Sequence, residues 1–80
     1  MDFPRFEDVI LLIDLPEEGL TAGDIGVVVE RHDVTRMETG YSVEFFDMLG
    51  NAVAVVTLPA SALSAALWSV IVLLSNKLLK

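Results

Sequence analysis

The sequence contains no cysteine, and this absence removes two ways in which small proteins are stabilised. Without thiols there are no disulfides and no thiolate-bound metals, as is usual in a reducing compartment. Eighty residues make one domain, which buries a smaller share of its surface than a larger domain does. The remaining aid is self-association. A hydrophobic content of 54%, above the ordinary range of about 45–50%, favours it.

Basic residues are scarce and unevenly placed. Residues 1–47 carry twelve acidic and three basic side chains, a net charge of −9, whereas residues 48–80 carry only Lys77 and Lys80. An acidic body repels phosphate backbones, whose binding requires clustered Lys and Arg. The charge therefore disfavours nucleic acid and favours a basic protein partner, for example one neutralised in the manner of an antitoxin. The first residues lack a basic segment followed by an apolar one, which argues against a secretory signal and predicts a cytoplasmic protein.

Groups that carry chemistry are also few. His32 is the only histidine, no cysteine is present, and nothing around Ser42 or Thr35 resembles a nucleophile motif. We interpret His32 as a solvent-facing loop residue. The segment Gly23-Asp24-Ile25-Gly26 precedes a strand and has no lysine nearby, so it is typical of a turn rather than a phosphate-binding loop. The remaining carboxylates in predicted loops lack the spacing of a calcium loop: Glu17, Glu18, Asp24 and Asp47. The sequence predicts a non-enzymatic protein without metal or cofactor.

Short apolar runs separated by turn residues make up the first three quarters of the chain. Strands are predicted at residues 8–14, 26–32, 41–47 and 52–58. Pro16 and Gly19 indicate one turn, Gly23 and Gly26 another, and Gly50-Asn51 a hairpin turn. This spacing predicts a mainly β fold, a small SH3-like barrel of four to five antiparallel strands. Its expected interior residues are Val27, Val29, Tyr41, Val43, Phe45, Val53 and Val55.

Beyond Pro59 the apolar period changes to that of a helix. Ser61 is a candidate N-terminal cap, and Lys77 and Lys80 suit the C-terminal end of a helix dipole. One face is formed by Leu63, Leu67, Val70, Ile71, Leu74 and Leu78. Three further apolar side chains lie off that face: Trp68, Val72 and Leu79. The pattern predicts a barrel domain at residues 1–63 and an apolar C-terminal helix at residues 64–80.

Three interpretations of this helix stay open. A membrane anchor needs about 20 apolar residues, and the near-continuous run from Ala62 to Leu74 has thirteen. Packing against its own barrel would bury one face, whereas self-association would bury both. We therefore predict a homo-oligomer, with a tail-anchored membrane protein as the first alternative and a nucleic-acid-binding barrel as the second. The predicted interaction residues are Leu63, Leu67, Trp68, Val70, Ile71, Leu74 and Leu78.

Two segments carry a family resemblance, "DLPEEGLTAGDIGVVVE" (14–30) and "GYSVEFFDMLGNAVAVVTLPASAL" (40–63). The pattern comprises Leu15-Pro16-Glu17, Gly19-Leu20, Gly23-Asp24, Gly26, Val28-Val29-Glu30, Tyr41, Val43-Glu44-Phe45, Asp47, Gly50 and Val56-Thr57-Leu58. It resembles a family of small bacterial proteins, the domain of unknown function numbered 4926. The resemblance implies a β-rich, SH3-like fold and no particular activity. Residues 64–80 depart from the family, whose members end soon after the position of Leu63.

Overall fold

The computed structural model describes residues 3–66, and its regular elements are mainly strands. The strands are β1 (Asp8–Leu11), β2 (Ile25–His32), β3 (Gly40–Phe46), β4 (Ala52–Pro59) and β5 (Leu63–Ala65). Two 3₁₀ turns, Pro16–Glu18 and Ala60–Ala62, precede β2 and β5. The sequence predicts β2, β3 and β4 to within a residue at each end, and β1 three residues too long.

All five strands belong to one antiparallel sheet with the order β4-β3-β2-β1-β5. The last strand returns to the first, because Leu63 lies opposite Leu11 and Ala65 opposite Val9. β2 pairs with β1 on one side and with β3 on the other, and Gly26 lies opposite both Val9 of β1 and Phe45 of β3. The two edges of the sheet are consequently β4 and β5. The prediction of a mainly β fold with four to five antiparallel strands is confirmed.

One face of the sheet forms the hydrophobic core. Its most deeply buried side chains are Val9, Leu11, Val28, Tyr41, Val43 and Phe45, each at most 1% exposed. Leu58 and Leu63 complete this face from the two edge strands. Strand residues alternate between faces, so the intervening side chains lie on the opposite, outer face.

The predicted interior is confirmed for β3 and wrong for β4. Tyr41, Val43 and Phe45 are buried, but Val53 and Val55 are 52% and 60% exposed. The inward positions of β4 are instead Ala54, Val56 and Leu58, and on β2 Val28 is buried in place of Val27 and Val29. On β2 three consecutive valines contain no alternation to show the inner face, and on β4 the sequence Ala-Val-Ala-Val-Val has valines on both faces. Pairing with β3 decides it, because a shift of one residue moves every side chain to the other face.

The helix predicted to begin near Ser61 is wrong over residues 61–65. Residues 60–62 form a 3₁₀ turn, and Leu63–Ala65 form β5 beside β1. Ser61 binds the carboxylate of Glu38 through its backbone N–H and its hydroxyl, at 3.0 and 2.9 Å, instead of capping a helix. Leu63 is 4% exposed in the core. Backbone pairing and burial on the sheet outweigh local helical periodicity here.

The remainder of the predicted helix lies outside the described residues. This applies to six of the seven predicted interaction residues, Leu67, Trp68, Val70, Ile71, Leu74 and Leu78. The seventh, Leu63, contacts its own sheet. Within residues 3–66 no helix is long and apolar enough to cross a membrane.

An N-terminal arm, residues 3–7, adds to the core without being a strand. Phe3 is 3% exposed and packs edge-on against Tyr41, with ring centroids 5.1 Å apart. The Phe3 N–H donates to the Tyr41 hydroxyl at 3.0 Å, so the buried phenol has a polar partner. The N–H of Phe6 donates to the Val28 carbonyl, and the Val28 N–H donates to the Glu7 carbonyl. The arm is thereby held against β2 and β3.

Candidate functional site: an acidic groove

A groove with a volume of about 400 Å³ lies where the loops before β2 meet the β3–β4 hairpin. We call it the acidic groove. Its three carboxylates are Glu18, Asp24 and Asp47, and its apolar lining is Leu20, Ile25, Phe45, Phe46 and Val53. Ile25 and Phe46 are 37% and 43% exposed, so apolar surface is open to solvent between the charges. Its volume falls in the range of about 300–1,000 Å³ that is typical of ligand-binding pockets.

Local turn geometry brings Glu18 and Asp24 to the groove. Pro16 suits the first turn of a helix because its φ is preset, and Gly19 ends the 3₁₀ turn with a φ of 69°. In the following turn the carboxylate of Asp24 accepts the N–H of Thr21 at 2.9 Å, and the Asp24 N–H donates to the Thr21 carbonyl at 3.0 Å. Both acidic side chains therefore stand on tightly defined turns.

Asp47 closes the β3–β4 hairpin and contributes the third charge. One oxygen of its carboxylate accepts the backbone N–H groups of Asn51 and Leu49, each at 2.9 Å. These hydrogen bonds favour the ionised form and hold the pKa of Asp47 below its usual value of 3.8. The bond from the Asn51 N–H makes the largest contribution. Gly50, with a φ of 84°, allows the tight turn. The side chain is thus a fixed anion on an exposed loop.

This lowered pKa predicts a pH-dependent contribution to stability. Since the folded-state pKa lies below the unfolded one, the contribution is fully present above about pH 4 and is lost as the pH falls through the folded-state value. We expect Asp47→Asn, measured by urea denaturation, to be less stable than wild type at pH 7. The difference should shrink at pH values below 3.8. A difference that stays constant across this range would show that the charge plays no part in the hairpin.

The groove suits a cation that carries an apolar stem. Arginine and lysine side chains bury their methylene groups on apolar surface while their charged ends remain near polar groups. Here Phe46, Ile25 and Val53 supply the apolar surface and the carboxylates supply the charge. Within the described residues no three acidic or histidine side chains are grouped closely enough to hold a metal ion. The geometry therefore matches recognition of a basic side chain better than metal binding.

Comparison with protein-family models matches residues 5–65, about three quarters of the chain, to the family described as "Domain of unknown function (DUF4926)". The chain belongs to this family. The match ends at Ala65, the last residue of β5, so the family unit and the described sheet end together. No curated protein and no solved structure matches.

His32 of this DUF4926 domain lies at the end of the predicted strand, but it does not face solvent as we predicted. It ends β2, is partly buried, and its Nε2 lies 2.8 Å from the hydroxyl of Ser42. Ser42 in turn lies 3.0 Å from the hydroxyl of Thr57, which links β2, β3 and β4 through a row of hydrogen bonds. The neighbouring carboxylate of Asp33 binds Arg31 and Thr39. It is thus engaged away from the imidazole that a catalytic triad would require it to orient.

A second groove, of about 380 Å³, lies beside this row at the other end of the sheet. Its lining includes His32, Val34, Met37, Glu38, Thr57 and Leu58. Glu38 is already bonded to Ser61, which leaves an apolar surface with a single charge held by the protein itself. This groove is lined by one carboxylate, whereas the acidic groove is lined by three.

The sequence identified the three carboxylates of the acidic groove only as residues of predicted loops. It did not predict that Glu18, Asp24 and Asp47 line one groove, because they come from segments up to 29 positions apart. Phe46 lies on the outer face of β3, next to the buried Phe45. One sequence feature is shared by the three carboxylates: each follows or precedes an apolar strand, at a turn that contains glycine.

Proposed function

We propose that this DUF4926 domain is a non-enzymatic protein-binding module that takes a basic segment of a partner protein into the acidic groove. The observation that supports it is the combination of three carboxylates with solvent-exposed Ile25, Phe46 and Val53 in one groove. An excess of nine negative charges over residues 1–47 would steer such a partner toward this half of the chain. An antitoxin-like neutraliser of a basic protein is one role that this chemistry fits.

We also infer that the sheet is curled into an SH3-like barrel. Side chains of β1 and of β3 are both at most 1% exposed, although these strands are not neighbours in the sheet. A flat single sheet would leave its apolar face in water unless another layer covered it. The described residues contain no second layer of helix or sheet, which supports a sheet that curls over its own core. The 3₁₀ turn between β4 and the short β5 supports this arrangement.

The groove is tested with a fluorescein-labelled peptide of alternating arginine and leucine, measured by fluorescence polarisation. We expect the double variant Glu18→Gln, Asp24→Asn to weaken binding by about two- to thirtyfold, because each exposed ion pair contributes about 0.2–1 kcal/mol. The matched control is Glu17→Gln, Glu30→Gln, which removes the same charge at exposed positions that do not line the groove. A peptide of alternating glutamate and leucine should not bind.

Two results would contradict this proposal. If both double variants lose affinity equally, the peptide responds to net charge and not to the groove. If Phe46→Ala leaves affinity unchanged, the apolar part of the groove does not contact the peptide. Binding should also weaken as salt is raised, since exposed charges are screened over about 8 Å at physiological ionic strength.

Self-association through the C-terminal segment is a second candidate function. It is supported by the apolar composition of residues 67–80, which contain nine large apolar side chains and two lysines. The sheet also sharpens its test, because β5 extends to Ala65 and the N–H of Ala66 donates to the carbonyl of Asp8 at 3.1 Å. Light scattering should therefore compare the full chain with one ending at Ala66. Equal masses would contradict a role of the segment in association.

A further inference from the structure

Within residues 3–66, no strand pairs with one edge of the sheet. β4 is eight residues long, lies at the end of the strand order, and contains no ionisable side chain. Proteins usually blunt an edge strand by shortening it, by placing charges on it, or by interrupting it with proline. The opposite edge, β5, has only three residues. In β4 the single proline is the last residue, and the bulge opposite Phe45 and Phe46 lies at its beginning.

The register shows which backbone groups of β4 point away from the sheet. The N–H of Ala60 donates to the carbonyl of Thr39, directly opposite it. Because hydrogen-bonded and non-hydrogen-bonded pairs alternate in an antiparallel ladder, the adjoining pair Gly40–Pro59 is a non-hydrogen-bonded pair. Alternation then directs the backbone groups of Val56 and Leu58 to β3. The N–H and C=O groups of Val55 and Thr57 point to the free edge.

The side chains along this edge are apolar and open to solvent. Val55 is 60% exposed and Val53 is 52% exposed. Such a valine-rich strand edge is a template for pairing with another strand. A second copy of the chain carries the same net charge of −7. It would be repelled at the carboxylate-bearing surfaces of residues 1–47, but not at β4, which has no ionisable side chain.

We propose that two copies of this chain pair through β4, antiparallel about a two-fold axis at Val56. Val55 of each copy then lies opposite Thr57 of the other, and their outward N–H and C=O groups form four hydrogen bonds between the copies. This interface is isologous, as most homodimer interfaces are. It goes beyond the proposed binding of a basic segment and uses neither Glu18 nor Asp24.

The test is performed on the full chain by light scattering over a range of concentrations. Val55→Pro removes an N–H that points away from the sheet, so the fold tolerates it, but it removes two of the four hydrogen bonds between copies. We expect its dissociation constant to rise about tenfold or more. Val55→Lys should have the same effect by placing a charge on the edge. Val34→Lys, at a position outside β4 that is 55% exposed, is the matched control and should associate like wild type.

A second measurement removes any ambiguity about folding. In the wild-type chain, amide hydrogen exchange should be slow at Val55 and Thr57. In the Val55→Lys variant, exchange at Thr57 should become fast. Exchange at Val43, in the core, should stay slow in both chains. The proposal is overturned if Val55 variants associate like wild type, which would assign association to residues 67–80, or if the wild-type chain is monomeric at all concentrations. Peptide binding at the acidic groove should persist in Val55→Pro, so the two proposals fail independently.

Discussion

Phe3→Ala is expected to destabilise the domain by about 3 to 5 kcal/mol, the usual cost of removing a buried phenylalanine. Its ring is 3% exposed and packs on Tyr41 at a centroid distance of 5.1 Å. The loss is large relative to the total stability expected for 80 residues, about 4 to 12 kcal/mol. Urea denaturation followed by circular dichroism measures it, and a substantially unfolded variant in water is within the expected range.

Phe6→Ala is the matched control for this prediction. Phe6 lies on the same arm but is 68% exposed, and Cζ of the Arg5 guanidinium lies over its ring, 5.1 Å from the ring centroid. Such an exposed cation–π contact contributes about 0.5–1 kcal/mol. If the two variants lose equal stability, the arm does not contribute its Phe3 side chain to the core.

Gly26→Ala is expected to destabilise the domain by about 1 to 3 kcal/mol or more, because the added methyl group overpacks the sheet. A Cβ at this position would lie 2.5 Å from Cγ1 of Val43 and 2.9 Å from the carbonyl oxygen of Glu44. The backbone cannot move aside easily, since Gly26 is paired with β1 on one side and β3 on the other. The midpoint of urea denaturation should fall without a change in the slope.

Gly40→Ala tests whether the effect comes from crowding or from glycine in a strand. Around Gly40 the nearest atoms to an added Cβ are 3.7–3.9 Å away, which is ordinary contact. Replacing glycine where the backbone is compatible commonly stabilises by about 0.4–1 kcal/mol. We therefore expect no loss at this position. Equal destabilisation by both substitutions would contradict the crowding at Gly26.

The charge of this domain is divided along the chain, and the division gives it two different surfaces. The acidic groove is lined by the carboxylates of Glu18, Asp24 and Asp47 together with the exposed Phe46. β4 and β5 carry no ionisable side chain. The first surface is the one that we propose for a basic partner, and the second is the one that we propose for pairing with another copy of the chain. Because Val53 contributes its side chain to the groove and Val55 its backbone to the free edge, the two surfaces adjoin along β4.

Several features follow from the sequence alone because their causes are local. Three strands and the turns between them were predicted within a residue or two, since apolar runs and turn residues act over a few positions. Gly19, Gly23 and Gly50 take the positive φ that such turns need. Family membership was likewise evident from the motifs at residues 14–30 and 40–63.

Other features were decided by contacts between distant residues. The pairing of β4 with β3 selects Val56 over Val55 for the core, which two adjacent valines cannot indicate by themselves. The pairing of Leu63 with Leu11 turns a helical pattern into a strand, because sheet hydrogen bonds and burial outweigh local periodicity. Phe3 packs in the core against Tyr41, which is 38 positions away in the sequence. Local propensity thus determined most of the strands and turns of this protein. Long-range pairing determined which side chains face the core, the groove and the edge of the sheet.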